Sequence, residues 1–392
     1  MNAQRSRLQN VSMTWVDSGR LERTGVEKQA MSYTVHHRIS PNASLCRVGT
    51  RIIVIIAVLV ASALPAAAQW TRVTEIPITN IYSVWIKDNT ILATADSVVY
   101  ISTDGGAGWK ESADVADDVV SVQAASVRNG RLYAGTYGQG VFISDDLGDS
   151  WQAYNQGLVG GVLDTQRFVI DLIVRGDSLY LATAGDGPWV RNLTVGTWTH
   201  FSNVFEPNQA SNMNDIAASA TQLVGSAGFN GTIFSRDPGQ ADWTLSWLNN
   251  VGIAPGLAAL SAIWTGRRWV VGANIGVFHG ASGQSPWTFS DIGLGTLFNA
   301  VFALRGSDVF AAFGAGTAAI IEYSLDSGAT WQLVETLPNT FIFGLAVKDD
   351  ILYAAQADGL WRRSIATVAV RKTSLGSVKA LFRNPGRNPP AK

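Results

Sequence analysis

Residues 144–151 read Ser-Asp-Asp-Leu-Gly-Asp-Ser-Trp, and the same spacing of Ser, Asp, Gly and Trp recurs in residues 102–109 and 324–331. In such a string the Asp carboxylate can accept N–H groups from the next few residues, which closes a tight turn. The Gly can adopt the positive φ that such turns require, and the Trp offers a large face for burial. We therefore predict three hairpin turns of one kind. Their four defining residues are Ser102, Asp104, Gly106 and Trp109; Ser144, Asp146, Gly148 and Trp151; and Ser324, Asp326, Gly328 and Trp331.

A series of tryptophans extends this pattern along the chain. A fourth copy of the turn, with Asp237 and Trp243, carries one extra residue. Neighbouring members of the series are 39 to 47 residues apart, which is the size of one four-stranded propeller blade, about 40 to 50 residues. Seven tryptophans therefore predict an all-β, seven-bladed propeller that spans residues 69–370. The series is Trp70, Trp109, Trp151, Trp198, Trp243, Trp287 and Trp331.

The two ends of this region predict how the ring closes. Three strand-like segments follow Trp331, at 342–348, 351–356 and 359–364, but no further tryptophan of the series follows them. We expect residues 69–75 to add the missing fourth strand to this C-terminal blade. Closure of this kind pairs both terminal strand edges, which would otherwise expose unpaired backbone groups.

The segment before the propeller is typical of an export signal. Residues 52–60 are continuously apolar, follow Arg51 and lead to the small residues before Gln69. This order predicts a secretory signal peptide cleaved near Ala68, with residues 1–68 as leader and signal. The alternative is an uncleaved anchor, but the run is short for a membrane span of about 20 residues. We therefore predict an exported protein with no membrane span in the mature chain.

The charge and composition of the chain indicate which kinds of partner it can bind. From Gln69 onward the chain has 21 basic and 27 acidic residues, a net charge of −6, and the tail at 371–392 holds six of the basic ones. We predict that this tail is mobile and extended. An acidic body cannot neutralise phosphates, which excludes nucleic acid and favours neutral or cationic partners. The 39 Gly and 14 Trp residues agree with many short strands and tight turns.

The repeated turn resembles the Asp-box, also called the bacterial neuraminidase repeat, and the resemblance covers residues 69–370. Proteins with this repeat include sialidases, xyloglucanase-like enzymes, photosystem assembly factors and sortilin-type receptor domains. Sialidases bind a substrate carboxylate with three arginines on the face opposite the Asp-boxes, and an Arg-Ile-Pro motif usually marks the first. This chain has Glu75-Ile76-Pro77 there, and Arg167 alone is expected on that face. The sialidase catalytic set is therefore missing.

No motif in the sequence indicates another kind of catalytic, metal-binding or cofactor-binding site. The sequence has no H-E-x-x-H, Walker A or nucleophile-elbow pattern, so we predict neither a metal nor a cofactor. Calcium binding by Asp145, Asp146 and Asp149 is an alternative role for these acids, although the loop lacks the ligand spacing of an EF-hand. We predict a monomeric, non-enzymatic binding or scaffold propeller for a glycan, peptide or protein. The alternative is a glycoside hydrolase that uses carboxylates opposite the Asp-boxes.

Two carboxylates are the first candidates for a ligand site. Long loops at 153–168 and 200–214 lead into first strands that carry Asp171 and Asp215, and long loops in compact domains are often functional. The alternative is that both acids only bond backbone at strand entrances. We align these acids with Ser83, Ser121, Ser261, Asn299 and Gly344 of the other blades. The remaining candidates, from neighbouring loops, are Arg167, Phe205, Glu206, Tyr137, Asp186, Asn230 and Trp247.

Overall fold

A computed structural model describes residues 69–366 with several gaps. The gaps are 160–165, 195, 201–211, 229, 238, 241, 251, 253–254, 285, 316–317 and 339–340. The predictions for the leader, the signal peptide, the tail, Phe205 and Glu206 lie outside the described residues.

The described strands form seven four-stranded antiparallel sheets, which are the seven blades of a β-propeller and confirm the predicted fold. Strand β1 (Thr71–Arg72) precedes the first blade. Blades 1 to 3 comprise β2 (Ser83–Lys87), β3 (Thr90–Thr94), β4 (Val99–Ser102) and β5 (Lys110–Glu111); β6 (Val122–Arg128), β7 (Arg131–Thr136), β8 (Gly140–Ser144) and β9 (Gln152–Ala153); and β10 (Val169–Arg175), β11 (Ser178–Thr183), β12 (Gly187–Asn192) and β13 (Thr199–His200).

Blades 4 to 7 follow in chain order, and each begins with the strand nearest the axis. Blades 4 and 5 comprise β14 (Met213–Ala218), β15 (Leu223–Ala227), β16 (Thr232–Arg236) and β17 (Thr244–Trp247); and β18 (Ala259–Trp264), β19 (Trp269–Ala273), β20 (Gly276–Gly280) and β21 (Thr288–Ser290). Blades 6 and 7 comprise β22 (Leu297–Arg305), β23 (Asp308–Ala315), β24 (Ala318–Ser324) and β25 (Gln332–Pro338); and β26 (Ile342–Lys348), β27 (Ile351–Gln356) and β28 (Gly359–Ser364).

The ring closes as predicted, because β1 is the fourth strand of blade 7. It pairs antiparallel with β28, with Thr71 opposite Arg362 and Arg72 opposite Trp361. The amide of Val73 continues the pairing and donates to the Leu360 carbonyl at 2.8 Å. The N-terminal strand therefore occupies the last strand edge of the C-terminal blade.

The repeated turns are closed by their own side chains. In blade 2 the Ser144 hydroxyl donates to Asp146 Oδ1 at 2.7 Å, and the Ser150 amide donates to the same oxygen at 3.0 Å. Gly148 has a φ of 81° and donates its amide to Ser144 Oγ at 2.8 Å. The Ser150 and Ser144 hydroxyls lower the pKa of Asp146 to about 2. The turns of Asp104 and Asp326 have the same bonds to the Ser hydroxyl and to the amides that follow.

The fourth copy of the turn has a different arrangement. Asp237 accepts a bond from Gln222 Nε2 at 2.7 Å, and its amide donates to Gln240 Oε1 at 3.0 Å. The Ser235 hydroxyl, which corresponds to Ser144, is buried without a hydrogen-bond partner among the described residues. The extra residue in this copy therefore replaces the Ser–Asp pair by contacts with two glutamines.

The tryptophan series fills the spaces between blades. Each of seven apolar clusters contains one member of the series and joins that tryptophan's blade to the preceding one. Trp243, for example, is buried with Phe234 of its own blade and Ala182 of blade 3. Trp70 of the closing strand packs in the cluster between blades 6 and 7. The repeat period in the sequence is therefore the period of blade-to-blade packing.

A bulge shapes the first strand of blades 2 to 7. The pairing register of each of these strands shifts by one residue near its start, and a bulge of this kind re-aims the side chains beside it. The extra residues are Gln123, Ile170, Asn214, Leu260, Phe298 and Phe343. The residues that follow them, together with the matching residue of blade 1, are Ser83, Ala124, Asp171, Asp215, Ser261, Asn299 and Gly344.

This register corrects one alignment made from the sequence. In blade 2, Val122 pairs with Thr136 and Ala124 pairs with Gly135. The residue equivalent to Asp171 is therefore Ala124, and Ser121 lies before the strand. The equivalence is set by the pairing partner on the second strand, which the sequence does not give directly.

We expect Trp243→Ala to lower the free energy of unfolding by about 3–5 kcal/mol, because the substitution leaves a cavity between blades 3 and 4. Trp243→Phe keeps most of the apolar volume and should cost clearly less. Equilibrium unfolding in urea, followed by tryptophan fluorescence and circular dichroism, measures both. Equal stability of the wild type and the Ala variant would show that this tryptophan does not hold neighbouring blades together.

Candidate functional site

A cavity of about 350 Å³ lies where the first strands of all seven blades meet. We call it the channel cavity. One end lies on the face made by the segments that lead into first strands and by the turns between second and third strands, which we call the entrance face. The repeated turns lie on the other face, where the Gly105 amide of one such turn donates to the Asn89 carbonyl in the turn after β2.

Two carboxyl groups from neighbouring blades meet in the channel cavity. Asp171 accepts bonds from its neighbour Leu172 N at 2.8 Å and from Ile216 N of blade 4 at 3.2 Å. Asp215 accepts a bond from Ala262 N of blade 5 at 2.6 Å. Both side chains line the cavity, and the two carboxyl groups are within hydrogen-bonding reach of each other. Both acids therefore bond backbone of the next blade and also face the cavity.

The environment of this pair favours retention of a proton. Burial, and then the adjacent charge of Asp215, raise the pKa of Asp171 well above its ordinary value. Burial also raises the pKa of Asp215. The backbone amides that bond the two carboxylates act in the opposite direction, but they do not outweigh burial. The pair therefore carries a proton at a pH where an exposed aspartate is ionised.

The channel cavity has two chemically different sides. Blades 3 to 5 contribute the acid pair, Asn214 and Ser261. Blades 6, 7 and 1 contribute Phe302, Phe343 and Tyr82. The rings of Tyr82 and Phe343 lie 6.3 Å apart between centroids. None of the described residues that line the cavity is basic. The cavity therefore places an acidic polar side opposite an aromatic side.

Two other predicted residues lie on the entrance face, beside blade 3. The exposed Tyr137 packs its ring edge against Phe168, with centroids 4.8 Å apart. The carbonyl of Arg167 accepts the Gly138 amide at 3.0 Å. Neither Tyr137 nor Arg167 lines the channel cavity.

Three further candidates have local roles. Asp186 is buried, accepts a bond from Trp189 Nε1 at 3.0 Å, and lies 4.0 Å from His200 Nε2. Asn230 has a φ of 60° and forms part of a turn, and Trp247 pairs with Thr232 in its sheet. None of these three side chains lines the channel cavity. Of the predicted ligand-binding residues that the structure describes, only Asp171 and Asp215 meet in the channel cavity.

An exposed aromatic group on the entrance face was missed from the sequence. Phe298, Phe341 and Phe343 are 58 %, 46 % and 39 % exposed, and the rings of Phe298 and Phe341 lie 6.4 Å apart. Phe298 and Phe343 are bulge residues, so the bulge directs these rings away from the blade interior. The sequence feature that could have revealed these rings is an aromatic residue near the start of a first strand. Blades 2 and 4 have Gln123 and Asn214 at the same position. We call these three residues the aromatic group.

Three arginines on the face of the repeated turns have structural partners in the next blade. Arg128 contacts Asp177, Arg175 donates to the Ala220 carbonyl at 2.7 Å, and Arg305 contacts Asp350 at 2.8 Å. These contacts run around the ring from one blade to the next, so these three arginines do not converge on one point.

The acids near the second repeated turn also have separate partners. Asp145 accepts bonds from Arg131 at 2.6 and 2.8 Å, and Asp149 pairs with Lys110 at 2.8 Å. Asp146 is used within its own turn. In the described part of the chain, no group of three or more His, Cys, Asp and Glu side chains is arranged to hold a metal ion. Nor do the described residues include a helix that could cross a membrane.

Solved structures share this fold at low sequence identity. YCF48 bound to D1 peptide is 16 % identical with a TM-score of 0.57, over 78 % of this chain and 97 % of that one. The extracellular domain of BT4673 from B. thetaiotaomicron is 13 % identical with a TM-score of 0.58, over 76 % of this chain and 40 % of that one. Virginiamycin B lyase from Staphylococcus aureus is 11 % identical with a TM-score of 0.59, over 76 % and 98 %.

No protein-family model matches the chain, and no curated protein matches it in sequence. At identities this low, the structural likeness establishes the propeller fold and does not extend to activity. The repeated turn therefore remains a resemblance to the Asp-box.

We expect the acid pair to titrate above the range of an ordinary aspartate, whose pKa is about 3.9. In Asp215→Asn, the pKa of Asp171 should fall because the neighbouring charge is gone, yet stay above the ordinary value because burial remains. Carbon-detected NMR titration of the aspartate carboxyl groups measures both effects. An Asp171 that titrates in the ordinary aspartate range in the wild type would contradict the burial argument.

Proposed function

We propose that this chain is a non-enzymatic binding propeller that holds a peptide or protein segment against its entrance face. The observation that carries the proposal is the aromatic group, which is exposed on the entrance face at blades 6 and 7, where Phe343 also lines the channel cavity. Below it lies the acid pair, in a cavity with no basic side chain among the described lining residues.

The exposed rings favour a macromolecular partner. Large aromatic side chains are enriched at the centres of protein interfaces because each buries a large area at a small cost in side-chain entropy. In this chain two of the three rings are bulge residues, so their exposure follows from a backbone feature of the sheet. A partner that covers them would bury apolar surface now in contact with water.

One solved structure of this fold supports peptide binding as a use of the fold. YCF48 was solved with a D1 peptide bound. Because its sequence identity to this chain is low, it supports the use of the fold as a binding module and not the identity of a ligand.

A glycoside hydrolase is the second candidate, because the acid pair offers two carboxyl groups in a cavity. Retaining glycosidases separate their carboxyl groups by about 5 Å and inverting enzymes by more, so that a sugar or a water fits between them. Asp171 and Asp215 are within hydrogen-bonding reach of each other, which is closer than either mechanism needs. Their bonds to backbone amides also hold them in place. This arrangement favours binding over hydrolysis.

We expect Phe298→Ala combined with Phe341→Ala to weaken peptide binding by about tenfold or more, since loss of one hot-spot ring typically costs over 1 kcal/mol. Ligands are first selected from a displayed peptide library, and their affinities are then measured by fluorescence anisotropy. Leu333→Ala is the matched control, because Leu333 is also exposed but lies on the outer strand β25.

Unchanged affinity of the double variant, with loss in the control, would place the binding surface elsewhere. Turnover of a substrate in a glycosidase panel, abolished by Asp171→Asn, would replace the binding proposal by the enzyme.

We also propose that the chain is exported, on the basis of the apolar segment that ends near Ala68. Protein recovered from outside the cytoplasm should begin at or near Gln69, as measured by N-terminal sequencing. Export should be lost when Ile55 and Val58 are both replaced by Asp, because charges interrupt the apolar run. Full-length protein that stays in the membrane fraction would favour the uncleaved anchor instead.

A further inference from the structure

We propose that the channel cavity binds a primary ammonium group carried on an apolar stem, and that Asp171, Asp215 and Ser261 hold the group. This inference rests on the proposed binding function, because a lysine side chain of the bound partner is the expected source. A free alkylamine has the same chemistry and is the second possible source.

The three residues share one level of the ring. Each is the residue after the bulge in its first strand, and blades 3, 4 and 5 are consecutive. Asp171 reaches Ile216 N, directly after Asp215, and Asp215 reaches Ala262 N, directly after Ser261. The three oxygen-bearing side chains therefore form a continuous arc on one side of the channel cavity.

The hydroxyl of Ser261 supports the proposal independently of the acid pair. It lines the channel cavity and is 8 % exposed, yet its hydroxyl has no hydrogen-bond partner among the described residues. A buried hydroxyl without a partner is costly, and most such groups in proteins are bonded. The equivalent hydroxyl in blade 1, that of Ser83, is bonded to Thr94 Oγ1 at 3.0 Å. The arc therefore has hydrogen-bonding capacity that the protein itself does not use.

A primary ammonium group matches this arc in number and in charge. It has three N–H donors and no acceptor, and the arc offers three acceptors, two of them on carboxyl groups. The two nearby side-chain amides each donate to a group outside the arc, since Asn214 Nδ2 bonds the Ala259 carbonyl and Gln123 Nε2 bonds Ser121 Oγ. Calcium usually takes six to eight oxygen ligands, which is more than this arc supplies.

The aromatic side of the cavity suits the stem of such a ligand. Phe343 and Tyr82 line the cavity opposite the arc, and Phe302 lines it next to them. Aromatic faces attract a nearby cation and also pack against the methylene groups of a lysine stem. A compact inorganic cation would gain nothing from packing against such a wall. The two sides together therefore favour an alkylammonium ligand.

Binding of the cation should release a proton. Without a ligand the acid pair retains a proton because burial raises the pKa of both groups. A bound ammonium favours the fully ionised pair, so affinity should rise with pH as the unliganded pair loses its proton. The other titratable group that lines the cavity is Tyr82. Its pKa is raised above the ordinary value of 10.0 by burial and by Asp96, which accepts a hydrogen bond from its hydroxyl at 3.2 Å, so Tyr82 stays neutral at neutral pH.

The test is isothermal titration of the protein with Nα-acetyl-lysine methylamide and with n-butylamine, between pH 5.5 and 8. Nα,Nε-diacetyl-lysine methylamide is the uncharged control ligand. We expect both amines to bind and the diacetylated compound not to bind. At a pH where the affinity is still rising, the observed heat should differ between phosphate and HEPES buffers, neither of which contains a primary amine, as proton release requires.

Substitutions of residues in the arc test whether the amine binds there. Asp215→Asn should weaken amine binding by about tenfold or more, because it removes a charge that bonds the cation. Ser261→Ala should weaken it about three- to tenfold through loss of one hydrogen bond. Ser83→Ala is the matched control and should change the affinity less than twofold. Because Ser261→Ala only removes a buried hydroxyl, it keeps the test valid if the Asp variant fails to fold.

The outcomes separate this inference from the proposed function. Peptides that bind the entrance face and lose affinity when their lysines are acetylated support both. Amine binding without peptide binding supports the ammonium site with a free amine as its source, and counts against the peptide function. Peptide binding that is unaffected by lysine acetylation overturns the ammonium site alone. Calcium binding that depends on Ser261, without amine binding, also overturns it.

Discussion

Every blade of this protein has two apolar faces, and only its two neighbours can cover them. The packing of each tryptophan of the series against the preceding blade is therefore the interaction on which the fold depends. A chain with a free first or last blade would expose one such face and one unpaired strand edge. The pairing of β1 with β28 removes both, and the cluster around Trp70 joins blades 6 and 7 in the same way as the others.

Closure of the ring also forms the channel cavity and the entrance face, where we propose that ligands bind. Seven first strands converge on one axis, and the bulges turn selected side chains towards it. At this level blade 2 has Ala124, whereas blades 3 and 4 have acids. Burial of two adjacent carboxyl groups opposes folding when both are ionised, and the bonds from Ile216 N and Ala262 N offset part of that cost. A cost of this kind is more typical of a functional site than of a purely structural one.

The two faces of the ring differ in the chemistry they offer. On the face of the repeated turns, most charged side chains are occupied, as in the contacts of Arg128 with Asp177 and of Arg305 with Asp350. These contacts connect neighbouring blades near solvent, where each contributes little on its own. On the entrance face the aromatic group stays exposed above a cavity with acidic lining. The aromatic group is therefore apolar surface on the entrance face that does not contribute to packing between blades.

The blade number, the strand positions and the closing strand could all be predicted from the sequence, because each depends on local patterns that repeat with the blade. The bonds within three repeated turns followed for the same reason, whereas the turn at Asp237 did not, since one added residue changed its partners. The adjacency of Asp171 and Asp215 was predictable from blade order. The exposed rings of Phe298 and Phe341, the unbonded hydroxyl of Ser261 and the raised pKa values of the acid pair were decided by the tertiary structure. Each depends on a bulge or on burial between strands far apart in the chain, and neither leaves a periodic signal in the sequence.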